Sequence, residues 1–144
     1  MQRVASCHCG ALRVTTAGDP EWVNACHCQA CQRRTGTVLH VGAYFARPRV
    51  RLEGASRIFA RGADSGYRIS FHFCPDCGSN LYWVASRFPG HVGIAVGGFA
   101  DPSFPAPSFS VWEQAMHPWI NLASDLQRFR QGRIGAPLDA PADD

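Results

Sequence analysis

Tyr67-Arg68-Ile69-Ser70-Phe71-His72-Phe73 runs directly into Cys74-Pro75-Asp76-Cys77-Gly78. The first stretch alternates cleanly and places Tyr67, Ile69, Phe71 and Phe73 on one face. That is the pattern of a half-buried antiparallel strand. The second stretch is C-P-x-C-G. Two thiolates separated by two residues can hold one metal ion from a tight turn. A glycine after the second cysteine permits the backbone angles that aim amide N–H groups at sulfur. A strand that ends in a metal knuckle predicts a mainly β protein, an antiparallel sheet or sandwich stapled by zinc.

The other cysteines extend this reading. The chain has seven, an odd number that cannot all pair internally. Besides Cys74 and Cys77 there is a C-x-C, Cys7-His8-Cys9, and a C-x-C-x2-C, Cys26-His27-Cys28-Gln29-Ala30-Cys31. A closed structural zinc needs four ligands, and C-x2-C supplies two. Cys7 and Cys9 are the obvious complement to Cys74 and Cys77, a pairing that joins the N-terminus to the middle of the chain. Cys26, Cys28 and Cys31 then remain as three thiolates on one short loop, the arithmetic of an open zinc site. Two alternatives stand beside that: a second structural site closed by His8, His27, His40 or His72, or simple redox-sensitive thiols. His8 and His27 each sit between two cysteines, where the side chain usually points away from a metal.

Strand-like runs recur at Ala11–Thr16, Val38–Phe45, Arg57–Arg61, Leu81–Ala85, Val92–Phe99 and Phe109–Glu113, bounded mostly by Gly, Pro, Asp or Asn. Turns are expected at Gly18-Asp19-Pro20, Asp64-Ser65-Gly66 and Phe88-Pro89-Gly90. Helix is scarce. Ser124-Asp125-Leu126-Gln127-Arg128-Phe129-Arg130-Gln131 predicts one short C-terminal helix, with Ser124 and Gln127 as a capping box and Gly132 as the stop. Residues 1–135 read as one domain, and the Pro/Ala/Asp-rich stretch 136–144 as a flexible tail.

The whole chain is 144 residues with a net charge of +3, and all 14 of its basic residues are arginine. The absence of lysine excludes Schiff-base lysine chemistry and a P-loop lysine. The arginines form no long tract, so composition gives nucleic-acid binding little support. No apolar run approaches the ~18–20 residues of a membrane helix. The first cysteine pair follows Met1–Ser6 at once, which leaves no room for a signal peptide and sets a cytoplasmic location as the expectation.

Three segments together closely resemble the glutathione-dependent formaldehyde-activating enzyme family, whose domain is shared with centromere protein V. They are Ser6-Cys7-His8-Cys9-Gly10-Ala11-Leu12-Arg13, Cys26-His27-Cys28-Gln29-Ala30-Cys31-Gln32-Arg33-Arg34-Thr35-Gly36 and Phe73-Cys74-Pro75-Asp76-Cys77-Gly78-Ser79-Asn80-Leu81. The resemblance extends to Gly97-Gly98-Phe99-Ala100-Asp101-Pro102 and Pro118-Trp119, so it covers about residues 3–130. It implies a structural zinc on Cys7, Cys9, Cys74 and Cys77 and a catalytic zinc on Cys26, Cys28 and Cys31. It also implies a carbon–sulfur lyase that interconverts glutathione plus formaldehyde with S-hydroxymethylglutathione. One segment departs from the family pattern. Many relatives carry a Ser-Arg-Ala-type stretch before Pro118-Trp119, where this chain has Ala115-Met116-His117, which leaves the substrate open.

Three thiolates on Zn²⁺ leave one net negative charge and a weakened Lewis acid. Such a site suits exchange of a thiol ligand better than activation of water. Arg33 and Arg34 follow the last cysteine, and Arg33 is the residue expected to offset the thiolate charge or grip a substrate carboxylate. Trp22, Trp83, Trp112 and Trp119 are expected in the core or a pocket wall. The function predicted is a zinc-dependent enzyme that acts on a small thiol such as glutathione and a small aldehyde. The alternative is a non-catalytic zinc-binding module for a protein or nucleic-acid partner.

Overall fold

Short runs of β-branched and aromatic residues between turn residues become eleven strands and one α-helix among the described residues. The structure is a computed structural model, and it describes residues 1–63 and 66–133. The tail 136–144 and the first two residues of the turn at Asp64-Ser65-Gly66 lie outside them. Two compact units form, each described by itself: residues 1–21 with 43–104, and residues 22–42 with the described residues from Pro105 onward.

In the first unit, β1 (Gln2–Ser6) pairs antiparallel with β2 (Arg13–Ala17), which pairs antiparallel with β5 (Val50–Glu53). Val14 and Thr16 on β2 are fully buried, and Arg13, Thr15 and Ala17 beside them are not, as the period of two requires. β6 (Arg57–Gly62), β7 (Arg68–Phe73), β8 (Asn80–Ala85) and β9 (His91–Ala95) follow as antiparallel neighbours. The alternation read from residues 67–73 is borne out, since Ile69 and Phe71 are buried and Arg68 and Ser70 are not. Ile69 and Phe71 pack with Trp83 and Ala85 against half-buried Tyr44, Tyr67 and Ala95. Trp83 donates from Nε1 to the Tyr44 hydroxyl at 3.1 Å. It also faces Gly93 on β9, where a Cβ would lie 2.2 Å from the indole nitrogen. The β7–β8 register shifts between His72 and Phe73. That irregularity bends the strand as it enters the Cys74 turn.

The second unit holds β3 (Trp22–Cys26), α1 (Gln29–Thr35), β10 (Phe109–Val111) and β11 (Gln127–Arg128). β4 (His40–Ala46) starts in this unit and continues into the first. β10 runs parallel to both β3 and β11. Phe109, Val111 and Phe129 form the local core, with Trp22, Cys26 and Trp112 packed against it.

The helix expected at Ser124–Gln131 is absent; residues 127–128 are β11 instead. Eight residues make a marginal helix by themselves. The edge of β10 offers a better home for the same donors: Gln127 N–H bonds Ser108 O at 3.1 Å and Phe129 N–H bonds Ser110 O at 2.9 Å. Leu126 and Phe129 are still buried, but from an extended chain. The one α-helix lies at Gln29–Thr35, inside the three-cysteine loop.

Candidate metal centres

Two turns with the same design build the first cluster. Gly10 N–H bonds Cys7 O at 3.1 Å and Gly78 N–H bonds Cys74 O at 2.8 Å. Gly10 and Gly78 have φ of +82° and +75°. A Cβ at either would meet nothing within 4 Å, so backbone conformation and not space demands glycine there. The turns bring the Sγ atoms of Cys7, Cys9, Cys74 and Cys77 within 4.8 Å of one another. Cys9 Sγ lies 3.6 Å from both Cys7 Sγ and Cys74 Sγ. Tetrahedral thiolates at the usual Zn–S length of about 2.3 Å sit about 3.8 Å apart, so the donor set fits a zinc ion.

Hydrogen bonds orient these sulfurs. Leu12 N–H donates to Cys7 Sγ at 3.2 Å. The Ser79 hydroxyl accepts from His8 N–H at 3.1 Å and lies 3.2 Å from Cys77 Sγ, so it links the two turns. That hydroxyl, with N–H groups from Cys9 and Ser79, pulls the Cys77 thiol down to about 5. Cys9 receives a stabilising bond from Ala11 N–H, but the neighbouring Cys7 and Cys74 sulfurs push its thiol up to about 12. Ser79 carries no signal at sequence level beyond its position after Gly78.

The second cluster forms where β3 ends and α1 begins. Cys26 is the last residue of β3, Cys28 caps α1, and Cys31 lies in its first turn, so all three sulfurs meet within 4.8 Å. Cys28 Sγ accepts the Cys31 N–H at 3.2 Å, and Cys31 Sγ lies 3.7 Å from Cys26 Sγ. Among the described residues no histidine nitrogen or carboxylate oxygen joins this set. Contact with Cys28 and Cys31, with burial, raises the Cys26 thiol well above its ordinary value. The Cys31 thiol is raised as well: its bond to Cys26 opposes the rise, Cys28 and burial drive it, and the Arg34 charge offsets part.

Arg33 and Arg34 both stand in the last turn of α1. Arg33 is exposed, and Arg34 is the arginine whose field reaches Cys31 and His40. Burial first, and then the Arg34 charge, push His40 down to about 3, so its ring stays neutral. His27 points away from the sulfurs. It is fully buried, with Nε2 2.9 Å from Ser110 Oγ on β10 and no partner for Nδ1. His8 is exposed, and His72 lies against Ser56 Oγ at 2.8 Å and stacks on Tyr82. Trp83 is a core residue as expected, whereas Trp119 is 66% exposed.

Gln32 is the brace of this loop. Its Nε2 donates to the His27 carbonyl at 2.8 Å and to the Ala115 carbonyl at 3.2 Å, while its Oε1 lies 3.0 Å from His117 Nε2. A polar residue between a cysteine and two arginines looks like helix surface in the sequence, so nothing there announced this role.

The model of the glutathione-dependent formaldehyde-activating enzyme family matches residues 2–115. The chain belongs to this family. No curated protein sequence matches the chain. A solved Rhodobacter sphaeroides protein is similar in structure, with a TM-score of 0.51 and 23% identity over 69% of this chain and 91% of its own. At that identity the likeness concerns the fold alone. As a family member, the chain presents two cysteine sets that could each hold a metal ion, one of four sulfurs and one of three. No helix among its described residues is long and apolar enough to cross a membrane.

Proposed function

We propose that the chain is a zinc-dependent carbon–sulfur lyase that joins a glutathione-like thiol to a small aldehyde, formaldehyde in the family reaction, and releases it in reverse. Cys7, Cys9, Cys74 and Cys77 would hold a structural zinc, and Cys26, Cys28 and Cys31 would hold a second one through three thiolates. The observation that carries this is the three-sulfur set with no fourth ligand among the described residues. A zinc ion held by three thiolates supplies a thiophilic position with modest Lewis acidity.

The chain's own residues supply the rest. In the forward direction the thiol sulfur bonds to the aldehyde carbon, the carbonyl oxygen takes up a proton, and the thiol proton is released; no oxidant or reductant is needed. Arg34 offsets the negative charge that gathers on the three sulfurs. Arg33, exposed one residue earlier, would offset the charge of a bound substrate thiolate. His40 stays neutral, so it adds no cation that would compete with Arg34. Gln32 and the His27–Ser110 contact hold the loop's backbone so that the sulfurs keep their spacing. A cytoplasmic setting agrees with seven free cysteines.

The test follows ¹³C-labelled formaldehyde with glutathione by NMR, with zinc content measured alongside. Wild type with two zinc ions is expected to exceed the spontaneous rate. Cys28→Ala is expected to keep its fold and one zinc and to lose the acceleration. A fully zinc-loaded wild type that never exceeds the spontaneous rate would instead favour a non-catalytic zinc module.

A further inference from the structure

After β10 the chain turns through Trp112, which has φ +59°, a strained conformation for a bulky side chain. The segment it launches borders an open surface cleft of about 320 Å³ lined by Glu113, Met116, His117, Pro118, Arg128 and Arg130 among others. That volume lies at the lower end of small-molecule sites, which run from roughly 300 to 1,000 Å³. Most of these residues lie beyond the stretch matched by the family model.

The charges here are not balanced. Glu113 is 4% exposed at its side chain, and both its oxygens accept from Arg128 Nε at 2.9 and 3.0 Å. Arg128 Nη2 also reaches Met116 Sδ at 3.8 Å. One carboxylate is thus committed to one guanidinium. Arg130 is exposed and makes no ion pair among the described residues. Met116, Pro118 and Ile120 give the cleft an apolar wall. An unbalanced arginine beside such a wall fits a small molecule that carries a carboxylate on an aliphatic body.

His117 connects the cleft to the three-cysteine loop. The Gln32 amide is oriented by donating to two carbonyls, so its Oε1 faces His117 and the ring donates from Nε2. One of those carbonyls belongs to His27, between Cys26 and Cys28. Cleft wall, Gln32 and cysteine loop therefore form one hydrogen-bonded chain inside the second unit.

We infer that the 113–130 cleft is the subsite for the carboxylate end of the thiol substrate, with Arg130 as its anchor and His117 as the wall residue that couples occupancy to the cysteine loop. This rests on the proposed thiol-adduct activity and adds the place where the substrate is held. The sulfur end is left to the cysteine loop, so a thiol without carboxylates has no grip here.

S-methylglutathione separates binding from chemistry, because its blocked sulfur can neither react nor ligate as a thiolate. Calorimetric titration of zinc-loaded protein is expected to show saturable binding that weakens about tenfold or more in Arg130→Ala and recovers in part in Arg130→Lys. The diethyl ester of the same probe should lose a similar factor against wild type and nothing further against Arg130→Ala. In His117→Ala, added probe should no longer slow chelator removal of the loop zinc, as it does in wild type. Zinc content stays at wild-type level in all three variants. No binding by wild type, equal binding by acid and ester, or an Arg130→Ala protein with wild-type affinity overturns the subsite. A protein that binds the probe but never accelerates adduct formation overturns the reaction and leaves the subsite standing.

Discussion

Replacing Gln32 by Met tests how the three-cysteine loop is held. The two residues have similar length and nearly equal helix propensity, so α1 itself should tolerate the change. What disappears is three hydrogen bonds, at 2.8, 3.2 and 3.0 Å, to His27 O, Ala115 O and His117 Nε2. Each such bond contributes about 0.5–1.5 kcal/mol net, and unpaired buried partners cost more. These three are only part-buried and water can recover some of them, so about 2 kcal/mol is expected in all. For a chain of this size that is a fall of roughly 4–8 °C in Tm, read by circular dichroism at fixed excess zinc. Because the lost bonds hold the cysteine loop, the loop zinc should leave faster in a chromogenic chelator assay while the four-cysteine zinc is retained. A Gln32→Met protein that melts within about 1 °C of wild type and releases both ions at wild-type rates would refute the bracing role.

Chelator titration of wild type should remove one zinc readily and the second only as the fold is lost; simultaneous loss of both ions with global unfolding would contradict the open loop site. Cys74→Ser should impair folding, since the binding energy of a closed structural zinc is also folding energy, and soluble protein with a wild-type melting curve would argue against that. Gly93→Ala should destabilise by about 1–3 kcal/mol through overpacking, because the new Cβ would lie 2.2 Å from the Trp83 indole nitrogen; an unchanged urea midpoint would show that the indole moves aside at no cost. His40 is driven from 6.5 to about 3 by burial and Arg34, so the stability of its neutral form is present above pH 6.5 and is lost as pH falls toward 3. At constant free zinc, His40→Gln should show a shallower fall of stability through that window than wild type, and equal slopes would contradict it.

The cysteine sets were legible because their information is local: C-x-C, C-x2-C and C-x-C-x2-C state ligand number and spacing without reference to the rest of the fold. Strand β7 was legible for the same kind of reason, since one face of it is buried and the other is not. The helix α1 was hidden because its cap is a thiol, Cys28, and the usual oxygen-bearing residues are missing. The segment 124–131 misled in the opposite sense. Its capping-box residues are present and Leu126 and Phe129 have helical spacing, yet a free strand edge on β10 outcompeted a helix too short to stand alone. Strands β1, β3 and β5 are only four or five residues long, too short to announce themselves without their partners. The cleft at 113–130 was partly in view as a departure from the family pattern, but Arg130 and Gln32 acquire meaning only from neighbours distant in sequence.

The two cysteine sets differ in how much chain must be synthesised before they can close. Cys26 and Cys31 are 5 positions apart, whereas Cys9 and Cys74 are separated by 65. Loop closure grows only with the logarithm of length, so the longer span adds about 2 kcal/mol to the entropy of assembly. Time is the larger difference. At roughly 5–20 residues per second, Cys74 follows Cys31 out of the ribosome by about 2–9 seconds. For that interval the chain presents three loop thiols and two earlier ones, while the loop's braces at Ser110, Ala115 and His117 are still to be made. The order of translation therefore exposes the loop thiols first, and the four-cysteine set can assemble only after β7 has been made.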